Sequence, residues 1–64
     1  MHPRKQAILE LKDAKFFFYR EGANHEIYKN DETGEIIPLK RHDFDESDLR
    51  YIRKEIKQRK ERKH

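Results

Sequence analysis

The 64-residue chain contains no cysteine at all. That excludes a disulfide framework, a thiolate zinc site and a cysteine nucleophile. Long apolar runs are missing too: the longest, Phe16-Phe17-Phe18-Tyr19, is far short of the roughly 20 residues that span a membrane. The N-terminus lacks the apolar stretch of a signal peptide. A soluble, unexported, cytoplasmic protein without membrane attachment is therefore expected. A Gly-rich phosphate loop, a Ser/His/Asp set and an H-E-x-x-H pair are also absent, which removes most familiar active sites. Neither a metal nor another cofactor is expected. Glycine and proline number two each, and there are no internal repeats and no linker.

What the chain has in abundance is charge, at 45% of residues against 33% hydrophobic. Such a composition alone fits a disordered segment. The distribution argues for folding, because the aromatics cluster, the aliphatics recur at structured spacings and turn residues fall between them. A chain this short buries only about 60% of its unfolded surface, so there is room for one core. The charge is uneven. Residues 1–49 carry eight basic and eleven acidic side chains, net −3, while residues 50–64 carry eight basic and two acidic, net +6. An anionic partner would be drawn to the C-terminal quarter.

Pro3 suits a first helical position, and Ala7, Ile8 and Leu11 form one stripe with Arg4, Lys5, Glu10 and Lys12 outside it. This predicts a helix over 3–14. Aromatic residues 16–20 read as a strand, residues 21–24 as a turn around Gly22, and 25–29 as a second strand closing a hairpin. A turn over 30–34 places Gly34 where positive φ is often needed, and 35–39 reads as a third strand. Pro38 cannot donate to a ladder, so its end of that strand belongs at an edge or just past the pairing. Asp45 as N-cap, with Asp48 at N3 and Phe44 facing Leu49 as a hydrophobic staple, marks the start of a last helix. Its core stripe is Leu49, Ile52 and Ile56. The expected fold is α+β: an α-β-β-β-α two-layer sandwich, a three-stranded antiparallel meander with both helices over one face. Residues 1–57 make the domain, and 58–64 a basic C-terminal tail, either a fraying helical end or disordered.

Histidine is the main carrier of possible chemistry. His2 and His64 sit at the termini, where a site cannot be preorganised, and are expected to be inert. His25 opens a strand directly after the Gly22 turn, and His42 follows the third strand within Lys40-Arg41-His42. By spacing alone the ordinary reading of His25 is a solvated side chain, with function the sharper alternative.

The segment Arg20-Glu21-Gly22-Ala23-Asn24-His25-Glu26-Ile27-Tyr28 resembles the signature of HicA-type toxins, the small mRNA interferases of HicA/HicB toxin–antitoxin pairs. An aromatic strand before it, Pro38 and His42 after the third strand, and the helix pattern Leu49-x-x-Ile52-x-Lys54 look like the same family in the same order. The resemblance covers about residues 5–57. It implies a double-stranded-RNA-binding-domain-like (dsRBD-like) fold, cleavage of mRNA dependent on the histidine of the glycine turn, here His25, and neutralisation by a HicB-like antitoxin. Such a partner would cover Gly22, Asn24 and His25 and contact Lys40 to His42. Three features differ from the family pattern: Lys15 stands where Gly is frequent, Ala23 where Ser is common, and the basic tail runs past the usual end.

The residues supply a chemical case of their own. An unperturbed imidazole titrates near 6.5 and can act as general acid or base when a ribose 2′-hydroxyl attacks its adjacent phosphate, without a metal. One such group contributes typically 10²–10⁴-fold, so charge stabilisation from Arg20 and from Lys40 or Arg41 is also expected. The alternative for Arg20 is a solvated strand end. The basic run containing Arg53, Lys54 and Lys57, continuing through Arg59, Lys60, Arg62 and Lys63, is phosphate-binding material, or else a solvated helical end with a favourable dipole. Tyr28, three residues beyond His25 on an alternating strand, points to the opposite face and is expected to pack rather than stack on a base. Residues 16–19 are likewise expected in the core. The expected function is a metal-independent endoribonuclease toxin; the alternatives are a non-catalytic RNA-binding module on the same fold and a protein that only docks on a HicB-like partner.

Overall fold

A computed structural model describes residues 2–61, in the order α1 (Pro3–Asp13), β1 (Phe16–Glu21), β2 (His25–Asn30), β3 (Ile36–Lys40) and α2 (Glu46–Glu61). The strands form one antiparallel sheet in the order β1-β2-β3. One face of the sheet contributes Phe16, Tyr28, Ile37 and Leu39 to a core completed by Ala7 and Leu11 of α1 and by Leu49, Ile52 and Ile56 of α2. Both helices thus cover one face, giving the expected α-β-β-β-α two-layer architecture of dsRBD-like type. Among the described residues no helix is long and apolar enough to cross a membrane.

Helix α1 begins with proline at its first turn and ends at Ala14, whose N–H meets the carbonyls of Glu10 and Leu11 at 3.1 Å. The next residue, Lys15, has φ 71°, the left-handed conformation that usually follows a helix C-cap and that disfavours any side chain with a Cβ. Lys15→Gly should therefore stabilise the fold by about 0.5–1 kcal/mol, the relief of left-handed strain exceeding the added freedom of the unfolded chain. A urea titration checks this; an unchanged or lower midpoint would show that Lys15 is not strained.

The β2–β3 turn is tied to the same junction. Asn30 is only 9% exposed; its Oδ1 accepts from the Glu32 and Thr33 amides at 2.7 and 2.8 Å while its Nδ2 donates to Ala14 O at 3.3 Å. Gly34 closes the turn at φ 79° and donates to Asn30 O at 3.1 Å. A buried amide is tolerable because its polar atoms have partners.

The start of α2 is a capping box built from two aspartates. Asp45 Oδ1 accepts from the Ser47 and Asp48 amides at 3.0 and 3.2 Å, and Asp48 Oδ2 accepts from the Asp45 amide at 3.0 Å. The Ser47 hydroxyl, followed by the Asp48 amide, holds the Asp45 carboxyl below the usual carboxylate range. Phe44 packs, partly buried, against the core. The helix continues to Glu61, with Arg59 donating to Glu55 Oε1 at 2.6 Å and to Ile36 O at 3.2 Å. Residues 58–61 therefore belong to α2, and Arg59 anchors that helix to β3. The rest of the expected tail, 62–64, lies outside the described residues.

Two expectations are corrected. Of residues 16–19 only Phe16 is buried; Phe17, Phe18 and Tyr19 are 42, 53 and 54% exposed. Alternation sends Phe17 to the uncovered face, and Phe18, though edge-on to Tyr28 at 6.1 Å between ring centroids, lies on an edge strand. The register then slips between Phe18 and Arg20, which pair with Tyr28 and Ile27, leaving Tyr19 as the extra residue of a β-bulge. Arg4 and Glu10 are not free surface groups either. Arg4 donates to Glu26 Oε1 at 2.6 Å and Lys40 O at 3.1 Å, and Glu10 receives Arg53 of α2.

Candidate nucleic-acid interface

The β1–β2 turn is held by backbone and by one arginine. Gly22 N–H donates to His25 O at 2.7 Å. A Cβ on Gly22 would lie 3.1 Å from that same oxygen, so glycine is what permits the close approach. Arg41 reaches back across the turn, donating from Nη2 to Gly22 O at 2.7 Å, and its amide meets Asn24 O at 3.4 Å. Its Nη1 lies 3.6 Å from Glu21. Arg41 is thereby engaged as a clamp on the turn.

This clamp presents His25 as an exposed side chain at the start of β2. Lys40 is its register partner on β3, which sets the two side chains next to one another across the strands. Arg20 pairs with Ile27, placing it diagonally from His25, about 7–8 Å away. Lys40 Nζ is 3.5 Å from Asp48 and remains half-exposed. Beside them a shallow hollow of about 230 Å³ is lined by His25, Pro38, Lys40, Phe44, Asp48 and Tyr51, smaller than the pockets that enclose drug-sized ligands. The arrangement is an open contact surface with one imidazole and nearby cations. His42 is exposed in the following loop. Tyr28 is buried on the other face, and burial, reinforced by the charge of Glu26, raises its pKa.

The remaining basic candidates lie on α2. Arg53 is not free: its Nε and Nη2 grip the Glu10 carboxylate at 3.0 and 2.8 Å. These bonds are the main cause holding Glu10 below its ordinary pKa, against the opposing effect of burial. Lys54 and Lys57 are exposed and make no ion pair among the described residues, and the same holds for Arg50. Arg50, Lys54 and Lys57 recur at i, i+4 and i+7, which makes one stripe along the helix. Arg50 is not among the sequence candidates, although this spacing is the signal that finds it. The sequence candidates therefore divide into a turn-and-strand group (Arg20, His25, Lys40), a clamp that shapes it (Gly22, Asn24, Arg41), and a separate helical stripe.

Among the described residues no group of three or more His, Asp or Glu side chains is arranged to hold a metal ion. Comparison with protein-family models, curated proteins and solved structures finds no match to this chain.

Proposed function

We propose that this protein is a small RNA-binding module. The observation that carries the reading is the exposed stripe Arg50, Lys54 and Lys57 on α2 of a dsRBD-like fold, without an ion pair among the described residues. Neighbouring Arg53 and Arg59 are held in structural ion pairs, whereas these three cations are left to meet phosphates. Binding of this kind follows backbone charge and shape rather than base identity.

Changing Arg50, Lys54 and Lys57 together to glutamine should weaken RNA binding and flatten its salt dependence. The log–log slope falls by about 0.7–0.9 for each phosphate that the protein ceases to neutralise, hence by about 2–3 if all three cations reach phosphates. An anisotropy titration over a range of salt measures it, and an unchanged slope would refute the stripe as the binding surface. The fold should be unaffected, because none of the three contributes to the core.

A second reading is favoured by one specific feature, the exposed His25 on a clamped turn beside Lys40. With the resemblance to HicA-type toxins, it makes the chain a metal-independent endoribonuclease of a type II toxin–antitoxin pair, silenced when a HicB-like antitoxin covers Gly22, Asn24 and His42. The left-handed φ of Lys15 supports the resemblance, since it lies where those toxins frequently have glycine. In this reading His25 is general acid or base, and Lys40 and Arg20 stabilise the phosphorane-like transition state.

A further inference from the structure

The helices cover one face of the sheet, and the other face is bare. Its composition is selective. Phe17, Tyr19 and Arg20 of β1, Lys29 of β2, and Ile36 and Lys40 of β3 are among the residues that lie there, so that aromatic, aliphatic and basic groups share the face and no strand residue on it is a carboxylate, although Lys40 reaches round to Asp48 of α2 at 3.5 Å. Strand alternation puts the β2 and β1 acids Glu26 and Glu21 on the helix side, where they pair with each other in register. The β-bulge gives this face one residue more than simple alternation would: Tyr19 and Arg20 both turn onto it, as bulges re-aim side chains. Lys29 sits opposite Phe17 and leans over the Tyr19 ring, its Nζ 4.7 Å from the ring centroid.

We propose that this uncovered sheet face is a stacking platform for single-stranded RNA, with bases on the rings of Phe17 and Tyr19 and phosphates on Arg20 and Lys29. Rings held on a rigid sheet, interleaved with cations, are the arrangement by which proteins bind single strands with little sequence preference. The two rings are two residues apart on one strand, a separation of about 7 Å that successive unstacked bases can occupy. The cation–π contact with Lys29 orients the Tyr19 ring before any ligand arrives. A protein partner suits the face less well. Protein interfaces are depleted of lysine at their centres, yet here Lys29 stands on the central strand. A duplex keeps its bases stacked inside and offers such rings nothing to stack on.

The inference shares with the α2-stripe reading only that RNA is the ligand, since it uses the opposite layer of the molecule, and it shares Arg20 with the endoribonuclease reading. His25 and its partner Lys40 stand at one end of the same face, so a strand lying on the platform would run past the imidazole.

The test compares binding of an unstructured oligouridylate and of a blunt RNA duplex to the full chain and to Phe17→Ala, Tyr19→Ala and Phe17→Leu. Both positions are exposed, and circular dichroism verifies the fold. Each alanine variant should lose about 5- to 150-fold in oligouridylate affinity, the range for removing one stacked base, with duplex affinity unchanged. Phe17→Leu should lose nearly as much as Phe17→Ala, because leucine keeps apolar area and removes the π face. Oligouridylate binding that is unaltered by both alanine substitutions overturns the platform, and if the α2 stripe variant alone loses affinity, the RNA-binding reading stands without it. Equal weakening of duplex and single strand overturns it as well. A wild-type chain that sediments as a dimer, and as a monomer after Phe17→Ala, would identify the face as a protein interface instead.

Discussion

Ile52→Ala should leave the chain largely unfolded or lower its melting temperature by more than about 10 °C. Ile52 is 1% exposed and is the middle residue of the three that α2 inserts into the core. Truncating a buried isoleucine to alanine costs about 2–5 kcal/mol, through lost transfer energy and the cavity left behind. A domain of this length has about 3–10 kcal/mol of stability in total, and each kcal/mol corresponds to about 4–8 °C at this size. Ile36→Ala is the matched control. The same side chain, 46% exposed on the bare face of the sheet, should shift stability by no more than about 0.5 kcal/mol. A thermal melt of the two variants decides it, and similar melting temperatures would mean that α2 does not close the core as described. Because the Arg50–Lys54–Lys57 stripe has its spacing only while α2 is helical, Ile52→Ala should also remove the RNA affinity that Ile36→Ala retains.

The elements are legible because each is signalled locally. Asp45 and Asp48 cap α2 by bonds within four residues, Gly34 takes the positive φ of its turn, and Pro38 lies on an edge strand as its missing N–H requires. The amphipathic stripes of both helices are visible for the same reason, since periodicity records burial directly. The aromatic run misleads because hydrophobicity says that a residue prefers burial and nothing about whether cover is available. Two helices over a three-stranded sheet cover one face, and the β-bulge at Tyr19 is a register event with no signature in the pattern.

The candidate site is legible in part. His25 and Gly22 stand close together in the chain, so the turn that presents the imidazole can be read from four consecutive residues. The neighbours that distinguish a clamp from a contact cannot. Arg53 and Glu10 are 43 residues apart, and Arg41 reaches Gly22 across 19. Before the fold is known, an arginine on an ion pair and an arginine free to meet a phosphate look alike. That is why the sequence alone groups Arg53 and Arg41 with Lys54 and Lys57 and does not single out Arg50.

His25→Ala is expected to abolish RNA cleavage if the protein acts as the endoribonuclease proposed, with a loss of about 10²–10⁴-fold, the usual contribution of a general acid or base. The fold of the turn should be untouched. What His25 contributes to that turn is its carbonyl oxygen, which accepts from Gly22 N–H at 2.7 Å, and alanine has the same carbonyl. RNA affinity should also persist, because the cations of α2 and of the open sheet face remain in place. Gly22→Ala is the complementary variant. It keeps the imidazole but sets a Cβ 3.1 Å from the His25 oxygen, so the turn must give by a few tenths of an ångström at the point that places the imidazole. Cleavage should fall while binding again survives, since catalysis depends on placing the reacting groups far more sharply than affinity does. Both variants are compared with wild type on a long RNA in the presence of chelator, at a purity that excludes contaminating nuclease. Cleavage by His25→Ala equal to that of wild type removes the catalytic role of His25. Binding without cleavage in all three proteins leaves the RNA-binding module as the function, with His25 a solvated side chain on a turn that Gly22 and Arg41 hold for structural reasons.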